Sequence, residues 1–148
     1  KFVEISNSLI EQFKAKIIIL WGKSDEDDAR KIHHQLGEKS ILAPATSIQE
    51  LAAMIARCKF LIANDSGPMH IATAVGTPVL GLFGPTSPHM QGPFGEKHEW
   101  IRIEDLDCIE CNLLDCPKNH ECFRDLQVDK VIQKVKELIS KNNLMISN

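Results

Sequence analysis

The chain has 148 residues, 43% of them hydrophobic, 25% charged and only 5% aromatic, with no tyrosine. That is the length of one ordinary domain, and the supply of aliphatic and charged residues excludes disordered, collagenous and low-complexity classes. A formal net charge of −3 leaves no basic excess to neutralise phosphates, which argues against a general nucleic-acid binder.

Phe2, Ile5, Leu9 and Phe13 recur at helical spacing and predict an amphipathic helix over residues 2–14. The longest wholly apolar run, Ile17 to Trp21, ends at Gly22 and predicts a strand buried on both faces. It is far shorter than the ~20 residues of a membrane span, and no stretch has the pattern of a signal peptide. Helical spacing returns at Ala29, Ile32 and Leu36, with Gly37 as the stop; His33 and His34 read as part of its solvated face. Ile41 to Ala43 predicts a brief strand. Ser47 with Glu50 three residues on reads as a capping box opening a helix through Leu51, Met54 and Ile55. Cys58, alone beyond that helix, reads as a small buried hydrophobe.

Phe60 to Ala63 predicts another strand, broken sharply by Asn64-Asp65-Ser66-Gly67-Pro68. Pro68 suits the first turn of a helix that runs to Val75 and ends at Gly76-Thr77-Pro78. Val79 to Phe83 predicts a buried strand, and the proline- and glycine-rich residues Gly84 to Gly95 a long irregular loop. Trp100 to Ile103 predicts one more strand. Val128, Val131, Ile132, Val135, Leu138 and Ile139 predict a closing amphipathic helix.

Strands alternating with helices imply an α/β fold, a doubly wound and mostly parallel sheet forming one domain over residues 1–148. Ligands of such sheets sit at the carboxyl ends of the strands. Three turns fall there: Gly22 to Glu26, Pro44 to Ser47, and Asn64 to His70. The third carries the most chemistry. Gly67 lets a ligand approach the backbone, and the helix that follows offers free N–H groups with a partial positive charge. A phosphate or diphosphate is held there without a lysine. Ser66 adds a hydroxyl, Asp65 accepts hydrogen bonds from ligand hydroxyls, and His70 serves as donor or proton carrier. The plainer reading is that Asp65 or Ser66 caps the helix and His70 is a hydrogen-bonded core residue. Glu26 follows a strand and a glycine turn, where a carboxylate suits the two hydroxyls of a ribose or simply complements the helix dipole. Lys23 is within reach of a phosphate, and Thr46 of a base. The GxGxxG and GxxxxGK[ST] phosphate loops and the GxSxG elbow are all missing from the sequence, which argues against nicotinamide dehydrogenases, P-loop enzymes and α/β-hydrolases.

From Asn64-Asp65-Ser66-Gly67-Pro68-Met69-His70 through Val79-Leu80-Gly81-Leu82-Phe83-Gly84-Pro85-Thr86 the sequence resembles the glycosyltransferase family 9 heptosyltransferases. The likeness extends back through Ser47 to Phe60 and forward to Arg124-Asp125-Leu126. Those enzymes transfer heptose from ADP-heptose to the lipopolysaccharide inner core. The resemblance implies a Rossmann-like domain, the C-terminal, donor-binding half of a GT-B glycosyltransferase, without the N-terminal acceptor domain. It sets Asp65, Ser66, Gly67 and His70 beside the donor's diphosphate and sugar, Glu26 on the ribose, and Thr46 by the adenine. It implies inversion at the anomeric carbon, with the catalytic base in the N-terminal domain and no catalytic residue in this chain. Leaving ADP is stabilised by helix N–H groups, Ser66 and a basic residue, with no cofactor and no divalent metal. The implied partners are an ADP-sugar donor and a lipopolysaccharide core acceptor, with no nucleic acid. The implied location is cytoplasmic, at most peripheral to the cytoplasmic face of the inner membrane.

Cys108-x2-Cys111-x4-Cys116-x5-Cys122 puts four thiols within fifteen residues. The first pair has zinc-finger spacing and the second does not, so free or oxidised thiols, a structural metal and a redox role all stay open. A second functional class also stays open, a noncatalytic nucleotide- or partner-binding module in which the cysteine segment is structural. A nucleotide-sugar epimerase fits the Asp65–Thr86 stretch less well.

Overall fold

The computed structural model describes residues 1–113 and 115–145. Elements alternate as expected: α1 (Phe2–Phe13), β1 (Ile17–Ile19), α2 (Glu26–Leu36), β2 (Ser40–Leu42), α3 (Ile48–Ile55), β3 (Leu61–Asn64), α4 (Gly67–Ala74), β4 (Val79–Leu82), α5 (Pro88–Gln91), β5 (Glu99–Ile101), α6 (Glu121–Arg124) and α7 (Val128–Lys141). The chain forms two compact units, Lys1–Ile48 and Gln49–Leu144.

In the first unit β1 and β2 pair in parallel, Ile18 opposite Ile41. Ile19, Ala29 and Leu36 form the core, with Val3, Ile10, Ile17, Trp21, Ile32 and Leu42 packed against it. Amphipathic α1 and α2 supply that apolar face because their aliphatic residues repeat at three and four. The alternate positions Ile18 and Ile41 are 39% and 57% exposed. The expected burial of the Ile17–Trp21 strand on both faces therefore does not hold, since helices of this unit cover only one face. His33 is only partly solvated, its Nδ1 lying 2.8 Å from the buried Ser40 hydroxyl, while His34 is exposed.

In the second unit β3, β4 and β5 pair in parallel in that order. β4 is buried along its whole length, and Val79, Leu80, Leu82 and Phe83 join Met69, Ile55, Leu126, Val131, Val135 and Leu138 in the core. Gly81 is fixed by close approach: a Cβ there would stand 2.6 Å from the Phe83 ring and 3.3 Å from Met69 Sδ. Only a glycine lets α4 settle this close to β4. At the other end of α4 the buried Thr77 hydroxyl donates to Ile55 O at 3.0 Å.

All the strand pairs are parallel and alternate with helices, in accord with the expected Rossmann-like α/β fold. Strand–helix alternation fixes direction and the hand of each crossover, but it does not say which strands are neighbours. The expected loop from Gly84 to Gly95 contains the one-turn helix α5, entered through Pro88.

Burial assigns different weights to these strands. Leu80→Ala should cost about 2–5 kcal/mol of stability through the cavity it leaves. Ile41→Thr, on an exposed strand position, should change it by no more than about 0.5 kcal/mol. Urea denaturation of the two variants beside the parent chain checks both.

Candidate functional site

In the second unit parallel pairing brings the loops after β3, β4 and β5 to one edge of the sheet. The loop after β3 is the turn Asp65-Ser66 into α4. Ser66 is the N-cap residue with extended backbone, φ −161° and ψ 165°, and its side chain makes no capping hydrogen bond. Its hydroxyl instead turns back and donates to Asn64 O at 3.0 Å. Met69 N–H donates to Ser66 O at 3.0 Å and closes the first turn, while Pro68 brings no N–H. Asp65 Oδ1 and His70 Nε2 lie 3.6 Å apart, with the carboxylate largely buried and the imidazole half exposed. The capping reading of Ser66 and the buried-histidine reading of His70 both fail against this geometry.

Gly67 is the informative residue of the turn. Among the described residues nothing beyond its own helix and chain neighbours lies within 4 Å of a Cβ built there, and its φ is not positive. Neither packing nor backbone conformation explains a glycine at this place. Space beside it, an uncapped helix start and a carboxylate–imidazole pair stand together at one strand end.

In the first unit β1 and β2 also end at a common edge, and Trp21 Nε1 donates to Ala43 O at 2.7 Å across the two strand ends. Glu26 opens α2 and Thr46 lies in the loop after β2, so both belong to that edge. Glu26 Oε1 accepts from Arg30 Nη2 at 2.6 Å and from Arg30 Nε at 3.0 Å. Asp25, the residue before α2, accepts from the Ser24 hydroxyl at 2.8 Å rather than capping the helix.

One charged residue at the sheet edge was missed by sequence reasoning, Arg102, just after β5. Its nearly buried guanidinium pairs with Glu104 at 2.9 Å and with Glu110, and stacks 5.7 Å from the centre of the Trp100 ring. Hydrogen bonding to Glu104 raises its pKa, burial opposes this, and Glu110 adds to the rise. Glu110 is in turn held below the ordinary carboxylate range, chiefly by Arg102 and then by the Ser87 hydroxyl. This chain of contacts ties the loop after β4 to the segment after β5. A lone arginine has no periodic or motif signal, so nothing in the sequence marks it.

Cys58 is half-buried, its thiol pushed up by burial and donating to Met54 O at 3.5 Å. Burial likewise pushes the Cys122 thiol up, a backbone N–H of Phe123 opposes this, and the charges of Cys116 and Cys108 push it further up. His98, beside β5, is 9% exposed, and among the described residues its Nδ1 has no hydrogen-bond partner. Burial, then the charges of Lys141 and Lys97, holds its imidazole below the usual histidine range.

Parallel strands joined through crossover helices define a Rossmann-like α/β protein. The profile of "Glycosyltransferase family 9 (heptosyltransferase)" matches residues 1–121, and the chain belongs to that family. It is 36% identical over 122 residues to lipooligosaccharide heptosyltransferase 2 of Campylobacter jejuni, covering 79% of this chain and 39% of that protein. The fold is similar to that of the family 9 glycosyl transferase from Veillonella parvula (TM-score 0.79, 24% identity, 95% of this chain and 40% of the other). It is similar also to E. coli heptosyltransferase WaaC with ADP (TM-score 0.73, 20% identity, 93% of this chain and 38% of the other). The chain spans about two fifths of the length of the curated relatives it matches.

The buried neutral His98 has a definite pH signature. The unfolded chain protonates it near its ordinary value, about 6.5, whereas the folded chain protonates it only at lower pH. Its contribution is therefore complete above about pH 6.5 and is lost as pH falls below that value toward the folded pKa. His98→Leu should flatten the pH dependence of the urea midpoint below about pH 6.5; an unchanged slope would show that another group carries it.

Proposed function

We propose that this chain is the donor-binding part of an inverting heptosyltransferase that transfers heptose from ADP-heptose to the lipopolysaccharide inner core. Residues 1–148 act as the C-terminal half of a GT-B enzyme, and the acceptor side with its catalytic base belongs to the remainder of such proteins. The enzyme works at the cytoplasmic face of the inner membrane; among the described residues no helix is long and apolar enough to cross a membrane.

The observation that carries this reading is the start of α4. Its N-cap side chain leaves the helix end uncovered, and the open side of Gly67 admits an oxygen-rich group to the backbone. A diphosphate gains there from the Gly67 N–H and from the positive end of the helix dipole. As the glycosidic bond to the β-phosphate breaks, negative charge grows on the departing ADP. Donors already aimed at that oxygen stabilise the transition state more than the ground state. The Ser66 hydroxyl, now bonded to Asn64 O, rotates to add one more donor. Asp65 accepts from sugar hydroxyls, and His70, 3.6 Å from it, donates to the phosphate. Glu26 is assigned to the ribose and exchanges Arg30 for the two hydroxyls, with Thr46 assigned to the adenine.

Calorimetric titration with ADP tests the reading, with UDP as control. ADP binding with UDP silent is the expected result, and Asp65→Ala combined with Ser66→Ala should weaken it at least ~10-fold. Gly67→Ala separates ligand from fold. A methyl there meets nothing beyond its own helix and chain neighbours, so stability should hold. ADP affinity should nevertheless fall by about tenfold, since the methyl occupies the phosphate's approach. Equal ADP affinity in the two chains would remove the diphosphate from this turn.

A further inference from the structure

The donor-binding reading leaves Cys108, Cys111, Cys116 and Cys122 without a role. All four line one pocket of about 240 Å³ in the second unit, together with His120 and Phe123. No disulfide takes up any of them among the described residues. A disulfide would use two sulfurs and leave two facing the same space, whereas one tetrahedral cation uses all four.

The segment is built to fold back on itself. Lys118 Nζ bridges both carboxylate oxygens of Asp107 at 2.7 Å, joining the residue before Cys108 to the loop between Cys116 and Cys122. Four non-glycine residues, Glu110, Asn112, Asn119 and His120, take left-handed backbone with φ between 52° and 57°. His120 N–H donates to Cys116 Sγ at 3.2 Å, a bond that a thiolate accepts better than a thiol. The neighbouring loop leaves room for sulfur: a Cβ at Gly84 would stand 2.5 Å from Cys122 Sγ. Asn112 N–H donates to Pro85 O at 2.8 Å, and Glu110 N–H to Gly84 O at 3.3 Å, fastening the segment to that loop. Among the described residues its only regular element between Cys108 and Cys122 is the start of four-residue α6.

From this convergence we propose that Cys108, Cys111, Cys116 and Cys122 bind one zinc-class divalent cation as a structural tetrathiolate site. The four thiols release their protons as the sulfurs bind, and no electron is transferred. Among the described residues no three Cys, His, Asp or Glu side chains already stand in ligand geometry, so the segment draws in around the ion. The bound ion clips the segment to the Gly84–Pro85 loop at the end of β4.

The test uses the full chain purified under reducing conditions, loaded with Zn2+ and freed of excess by dialysis. About one zinc per chain should remain, and Cys111→Ser combined with Cys116→Ser should remove it while Cys58→Ser should not. A Co2+ titration of the unaltered chain keeps the test independent of misfolded variants. It should give the visible and charge-transfer bands of a tetrahedral thiolate site, displaced by Zn2+. Zinc lost on dialysis with all four thiols free to react, a Cys116–Cys122 disulfide in place of metal, or iron with sulfide would each overturn the proposal. Nucleotide titration reads a different part of the chain, so failure of either proposal is distinguishable from failure of the other.

Discussion

Parallel strand pairing is the constraint from which the remaining features follow. In a parallel sheet every strand ends at the same edge, and each end must lead into a crossover. Three loops of the second unit are therefore gathered at the ends of β3, β4 and β5. Close packing of α4 on β4, made possible by Gly81 against Met69 and Phe83, fixes where the start of α4 lies. The helix start is then rigidly held at the sheet edge and chemically unfinished, which is the condition for binding an anion there.

The loop after β4 is held by a different kind of interaction. Arg102 pairs with Glu104 and Glu110, Glu110 also engages Ser87, and His89 meets Trp100 edge-on with ring centres 5.2 Å apart. Together with the backbone bonds from Glu110 and Asn112 to Gly84 and Pro85, these contacts join the cysteine segment to the sheet edge. A tetrathiolate site there would stiffen the same loop that neighbours the α4 turn. The core of the same unit also draws on α7, whose Val131, Val135 and Leu138 are buried.

Much of this was legible in the sequence, for physical reasons that differ by element. Val79 to Leu82 announces itself because a strand buried throughout must be apolar throughout, and α7 because its aliphatic residues repeat at three and four. The Asp65–His70 turn was found from its residue types. Whether Ser66 caps the helix was not legible, since a serine hydroxyl can accept from a first-turn N–H or donate to a nearby carbonyl, and only the folded geometry shows it turned to Asn64 O. Burial was the weaker inference. Ile17 to Ile19 is uniformly apolar, yet Ile18 and Ile41 face outward, because an apolar run records hydrophobicity and not which face is covered. The short helix α5 was hidden by the prolines and glycines around it, and the partners of Arg102 come from residues 2 and 8 positions away whose meeting depends on the loop path.

The central claim is that the start of α4 takes the diphosphate of an ADP-sugar. Amide NMR of the full chain titrated with ADP tests it most directly, because the proposed donor is itself the observed group. The account predicts the largest and saturable shift change at the Gly67 amide, with the cysteine segment from Cys108 to Cys122 little affected. Saturable changes that leave that amide unmoved would contradict it and place the nucleotide elsewhere.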